Sequence, residues 1–434
     1  MPTTNTKPPA SENNRPLDLG GNHRRFKLPP ALHYADFRSF FFGLLAAVGG
    51  FQIFQFGQFW LVHELTGSPL FLGYVGLANA IPAISLNLVG GVVADRINKR
   101  KLIVVTQIMS ALLVLLLATL TATHVVLPWH VIAVAVAAGA INAFNQPARQ
   151  ALYPLLIKPS ALMSAVALNS AVWQGTRIVA PGIAGVLIAL AGTATAFYAA
   201  AAGMFAFAAI VSALNVRETT RLEHSNPLTD MFEGLRFIRS NHIFGFLIAM
   251  TFFNSFFGMA YVVLMPVFAV DLLGIGSGGQ GVLLSVGGIG SLSITLFLTT
   301  RSGIRRSGLT LLGGAILTGL SVAAFSLSAK YIGSYPLAVV IMLFLGAFTS
   351  IYMITIMSTL QILVPDHMRG RVMGFYGMTW NIMPLGGMHA GALASLIGVP
   401  LAVATGGMLV SLFAISAGLF NRSIRTLGNL HMAR

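Results

Sequence analysis

The chain contains no cysteine among its 434 residues, which excludes a disulfide framework and any thiolate metal site. Charge is almost as scarce. Asp, Glu, Lys and Arg make up 9% of the residues, against roughly 25% in an ordinary soluble protein. Negative charge is the rarer sign, with 11 Asp and Glu against 26 Lys and Arg. A phosphate-binding GxxxxGK[ST] loop, an HExxH pair and any clustered Cys and His are absent as well. An enzyme is therefore not expected, and neither a metal nor another cofactor is called for. The short alternating segments of a transmembrane barrel are missing too, which excludes that architecture.

What remains is apolar, 56% of residues, and it is arranged in long runs. Stretches of low charge fall at 37–63, 70–94, 102–123, 131–152, 161–190 and 194–214, then at 242–270, 277–300, 308–329, 336–363, 370–397 and 400–421. Each is close to the ~20 residues that carry a helix across the hydrocarbon core. The expected fold is an all-α membrane protein with 12 transmembrane helices, its outer surface against the lipid bilayer.

The few charges report orientation. All of the 26 Lys and Arg except Lys330 and Arg177 lie before the first run, near alternate loops, or after the last run. By the positive-inside rule both termini are cytoplasmic, and the protein is placed in the plasma (inner) membrane. The same placement assigns the net charge of +15 to topology and excludes nucleic acid as a partner.

Residues 1–36 are polar and proline-rich and read as a disordered cytoplasmic tail rather than a cleaved leader. An N-terminal six-helix half follows at 37–214, and a C-terminal half at 242–421. The cytoplasmic linker between them, 215–241, places Leu228, Met231, Phe232, Leu235 and Ile238 on one helical face, with Asp230, Glu233, Arg236 and Arg239 on the other. This is an amphipathic helix, resting on the membrane or simply packed as a linker. Residues 422–434 form a second short cytoplasmic tail.

The densest charge lies at Gly90 to Lys101, where Asp95, Arg96, Lys99, Arg100 and Lys101 separate two apolar runs. At one constant offset Lys99 and Arg100 correspond to Arg305 and Arg306, Pro159 to Pro365, and Gly185 to Gly391; Glu64 and Asp271 correspond one residue further on. Two pseudo-symmetric six-helix halves of this kind suggest a transporter with its site at their interface, near the bilayer midplane.

Arg177 is the one formal charge well inside a run, and a charge at that depth belongs on a protein interior or a water-filled path. Asn169, Trp173 and Arg177 follow one another at i, i+4, i+8 and form a polar and aromatic stripe. Gln52, Gln55 and Gln58 on the first run, Asn142, Asn145 and Gln146 on the fourth, and Tyr376, Trp380 and Asn381 on the eleventh are further cavity candidates. Each has the alternative role of hydrogen-bonding between helices. The candidate coupling groups are Glu64, Asp271 and His389, since no carboxylate lies in the middle of a run.

These residues together resemble the major facilitator superfamily. Gly91 to Arg100 (GVVADRINKR) is similar to its loop 2–3 signature, with Asn98 where Gly is usual. Ala180, Pro181, Gly182 and Gly185 resemble the fifth-span motif of its exporters, with Ala180 in place of a Gly. LTGSP (65–69), NQPARQALYP (145–154), TRIVAPGIAG (176–185) and DHMRGRVMGFYGM (366–378) are together similar to the enterobactin-exporter and macrolide-efflux branch. The resemblance implies alternating access by rocking halves. It also implies a cytoplasmic gate of Gly91, Asp95, Arg96 and Arg100, with Asp95 latching the start of the eleventh span and pairing with a base such as Arg100.

The function expected first is a secondary exporter of a bulky organic small molecule, such as a drug or a siderophore-like metabolite, with protons as candidate coupling ions. The alternatives are an importer or facilitator of a small polar metabolite and, more remotely, a non-transporting scaffold or sensor. A monomer is expected.

Overall fold

The computed structural model describes residues 29–214, 216, 227–299 and 307–427. Within these, the side chains of Leu88, Asp95, residues 227–231, Thr299, Asp366, His367, Trp380 and Asn381 lie outside the description. The first half contains α1 (Ala35–Thr66), α2 (Pro69–Arg96), α3 (Lys99–Ala122), α4 (Pro128–Leu152) and α5 (Leu162–Ala213). The short α6 (Pro227–Ser240) follows. The second half contains α7 (His242–Phe253), α8 (Ala260–Val263), α9 (Met265–Val267), α10 (Gly276–Thr299), α11 (Ser307–Tyr331) and α12 (Tyr335–Leu363), then α13 (Asp366–Met378), α14 (Met383–Ile397), α15 (Val399–Phe420) and α16 (Arg422–Arg425). The described residues contain no strand.

Local chemistry sets many of the boundaries. Proline stands in the first turn of α2, α4, α12, α14 and α15, where its missing N–H costs nothing. Asn98 accepts a hydrogen bond from the Lys101 N–H and caps α3. This explains why a side chain, not a bare glycine, stands at that turn. Gly67 closes α1 in the left-handed conformation.

Ten helices among the described residues are long and apolar enough to cross a bilayer, against the twelve expected, and two places account for the difference. The fifth and sixth runs are two helices joined within α5 by a sharp turn at Gly192 (φ 81°, ψ 167°) and count as one; that conformation would strain an L side chain. The eleventh run is broken by a 3-10 turn at Thr379–Ile382, leaving α13 and α14 individually short. The run at 242–270 is also irregular, with π-helical turns at Asn254–Gly258 and Phe268–Leu272.

The outer surface is apolar. Leu190, Leu396 and Phe420 are more than four-fifths exposed, a surface suited to lipid rather than water. Within the first half α1 packs on α5 and α2 on α4; within the second α11 packs on α15 and α10 on α12. The halves touch chiefly through two helix pairs, α5 with α10 and α2 with α14.

The chain ends are more ordered than expected. Residues 30–33 form a 3-10 turn, with the Ala31 N–H donating to Ser164 Oγ, so part of the expected disordered tail is docked; residues 1–28 lie outside the described residues. At the other end the Gly308 N–H donates to the Leu427 carbonyl. The linker expected at 215–241 is described only at Val216 and from Pro227 onward. In α6, Ile238 is buried, while Phe232 and Leu235 are exposed. Glu233 pairs with Arg371 of α13 at 2.6 Å.

Candidate functional site

Both helix pairs between the halves meet at the same end, called here the far end, opposite the one at which α1, α7 and α13 begin. There the seam is almost free of side chains. A Cβ on Gly281 would lie 2.6 Å from the Pro181 carbonyl oxygen, and one on Gly391 2.5 Å from that of Pro69. Gly185 approaches the Ser277 backbone as closely, and Ser277 Oγ donates to the Gly185 carbonyl at 3.2 Å. Pro181, Gly182 and Gly185 are thus brought together against α10, with Gly182 facing Ser285. The small residues permit backbone contact, the means by which helices associate in lipid.

A polar contact crosses the far end as well. His63 Nε2 lies 3.3 Å from Asp271 Oδ1, with the imidazole buried and the carboxylate half-exposed. Sequence reasoning missed His63, whose only signal was its place beside Glu64 at the end of an apolar run. Glu64 itself accepts a hydrogen bond from Thr193 Oγ1 at 3.2 Å, in a cleft of ≈ 420 Å³ that also includes Trp60 and Ser277.

Among the described glycines every close approach between the halves lies in the far portions of these helices, from Pro69, Gly73 and Gly76 against α14 and from Ile178, Pro181, Gly182 and Gly185 against α10. The halves therefore bound a cleft that is closed at the far end and widens toward the near end.

Arg177 lies at the apex of this cleft, directly before Ile178, whose side chain meets Gly288 in the last turn of the seam. Its side chain is exposed at a depth where a charge facing lipid would be costly, which places it on the cleft. Tyr261, from α8 of the opposite half, is in electrostatic reach of it. One turn closer to the opening, Trp173 is half-buried and carries the Arg149 guanidinium 5.7 Å above its ring. Arg149 was assigned to topology on sequence alone; the structure turns it from α4 onto α5 instead. Asn169 is half-buried one further turn along.

The other candidates divide. Gln52, Gln55 and Asn142 are half-buried. Gln58 donates to the Val131 carbonyl, and Asn145 donates to Thr106 and Gln107 at 2.7 and 3.3 Å, so both join helices within the first half. Tyr376 is not at the cleft. It is buried in the core of the second half with its hydroxyl 3.7 Å from Met353 Sδ, because α13 turns this face onto α12. Trp380 and Asn381 fall in that turn, and their side chains lie outside the described residues. His389 packs against Phe256 and Phe257 on the side of α14 roughly opposite Gly391, and so faces away from the seam.

At the near end Arg100 donates to the Ser212 carbonyl at the end of α5, where helix carbonyls lack internal partners. Arg96 is exposed and Gly91 has open space about it; the close approach to α4 is made by Gly90, against Ala143. The Asp95 side chain lies outside the described residues. No group of His and acidic residues suited to a metal occurs among the described residues.

The described residues form an all-helical, multi-pass protein, and the family that matches its sequence makes it a transporter of the major facilitator superfamily, acting on a small molecule and not an enzyme. Within that superfamily the chain belongs to the transmembrane secretion effector family, which matches residues 29–428.

The chain is 26% identical to the staphyloferrin A transporter of Staphylococcus aureus, over 81% of this chain and 87% of that one. It is also 26% identical to the multidrug efflux pump Tap of Mycolicibacterium fortuitum, over 78% and 84%. Among solved structures, a bacterial homologue of the human lysosomal transporter Spinster, inward-facing and unoccupied, shares the fold with a TM-score of 0.70 and 13% identity, covering 92% of this chain and 99% of that one. The nucleoside transporter NupG does so with a TM-score of 0.65 and 15% identity, over 89% and 98%.

Proposed function

We propose that the protein is a secondary exporter of bulky organic solutes, drawn from the class of drugs and siderophore-like metabolites, working by alternating access. The observation that carries this reading is the cleft itself, sealed at the far end by the Pro181–Gly185 stretch and widening toward the near end with Arg177 at its apex. On this reading the near end is cytoplasmic, since the bases cluster there, and both termini lie inside the plasma membrane. The solute enters from the cytoplasm, and rocking of the halves then opens the far seam to the outside. The names of two relatives, a staphyloferrin A transporter and a multidrug efflux pump, agree with a large solute.

The near gate would close through Gly91, Asp95, Arg96 and Arg100, and coupling to protons would use Glu64, Asp271 and His63. His389 is a weaker choice because it faces away from the seam. The test is accumulation of a fluorescent drug in cells with and without the protein and an uncoupler. Lower accumulation that an uncoupler abolishes supports export, and Arg177→Ala should reduce it about tenfold. Accumulation that rises with expression favours the importer, and no flux of any solute favours a scaffold.

A further inference from the structure

We infer that the cleft selects multiply charged organic anions, held by Arg149 and Arg177 together; this rests on the exporter reading and names its substrate class. Two observations carry it. The first is the placement of the guanidiniums. Arg177 is at the apex, and Arg149 is stacked on Trp173, one turn of α5 nearer the opening, or ~6 Å along the helix axis. Stacking on an aromatic face fixes a guanidinium while leaving its charge in place. A planar fork of N–H donors so held matches the two oxygens of a carboxylate.

The second is the distribution of acids. All 11 Asp and Glu lie in tails, in the linker or at the ends of helices, and none lies in the middle of a membrane-crossing helix. The two arginines therefore give the cleft a positive potential, and in surroundings of low dielectric such a potential reaches further than in water. Around the opening, Arg96 is exposed and Lys99 and Arg100 are half-exposed. They extend the positive field to the mouth, which concentrates anions there and repels organic cations.

A solute with two acidic groups about one helical turn apart would engage Arg149 on entry and Arg177 at the apex. Trp173 lies between them as an apolar and aromatic wall. Tyr261 adds a hydroxyl from the other half, so that a bound anion contacts both halves at the apex.

The experiment compares carboxyfluorescein, an anionic xanthene dye, with pyronin Y, a cationic one. Binding to the solubilised full-length chain is read by fluorescence polarisation, and transport is read in cells. The expected result is tighter binding of carboxyfluorescein. Arg149→Gln and Arg177→Gln should each weaken it about tenfold, the equivalent of ~1.4 kcal/mol, and Arg149→Lys and Arg177→Lys, which keep the charge but lose the planar fork, should recover only part of it. Binding of pyronin Y should be unchanged or improved in the Gln variants, which also reports that they are folded.

Preference for pyronin Y, equal loss of both dyes in the Gln variants, or binding of neither dye would overturn the anion assignment. Export of a cationic drug beside any of these would leave the exporter reading standing. Carboxyfluorescein that binds as expected but is carried into cells would support the anion site and remove the exporter reading.

Discussion

His63 and Asp271 meet across the far seam with 3.3 Å between Nε2 and Oδ1, so the ends of the first and seventh apolar runs are joined when the cleft faces the near end. The contact can exist only in that state. A hydrogen bond to a charged group contributes ~1.5–3 kcal/mol, and the half-exposure of Asp271 places this one at the lower end.

Replacing either residue by Ala should therefore shift the protein about tenfold toward a far-open state. The cysteine-free sequence allows this to be measured directly, with spin labels at Val125→Cys and Ile332→Cys, in the loops after α3 and α11. A longer distance in His63→Ala is expected; an unchanged distribution would remove the latch.

The seam makes a second prediction. Gly281→Val would press a side chain into the Pro181 carbonyl, and packed helix backbones have little room to relax. Transport should fall at least about tenfold while membrane insertion is retained. Gly313→Ala on α11, which meets nothing within 4 Å, should transport normally. Equal activity of the two variants would contradict the seam's role.

A third concerns Asn145, whose amide joins α4 to Thr106 and Gln107 on α3. Asn145→Ala should lower stability by ~0.6–2 kcal/mol, seen as a lower melting temperature in detergent, and leave KM unchanged. A changed KM at wild-type stability would return Asn145 to the list of substrate-binding residues.

A fourth separates a visible ion pair from an important one. Glu233 and Arg371 are 2.6 Å apart but considerably exposed, and such pairs contribute at most ~1 kcal/mol. Glu233→Gln should shift the melting temperature by no more than about 2 °C. A larger drop would mean that α6 clamps α13 more firmly than the pair's exposure suggests.

The helices were legible in the sequence because crossing a bilayer is decided by hydrophobicity over about twenty residues, a sum that needs no knowledge of neighbours. Breaks were harder to read. The turn at Gly192 falls in the gap between the fifth and sixth runs and was legible, but the 3-10 turn at Thr379–Ile382 falls inside a single run and leaves no composition signal of its own. Arg177 was legible because a charge at that depth is rare. Arg149 was not, since in the last turn of an apolar run a base reads as a topology signal until its neighbour Trp173 is seen. His63 was lost for the converse reason, being one histidine beside a more conspicuous Glu64.

The bond from Arg100 to the Ser212 carbonyl has a mechanical consequence. Ser212 stands one residue before the end of α5, where the chain leaves for the second half. Arg100 stands in the first turn of α3, so the start of α3 is stapled to the closing turn of α5. The basic gate residue therefore travels with its own half as one block, and the gate opens and closes by the tilt of whole halves rather than by a loop moving on its own.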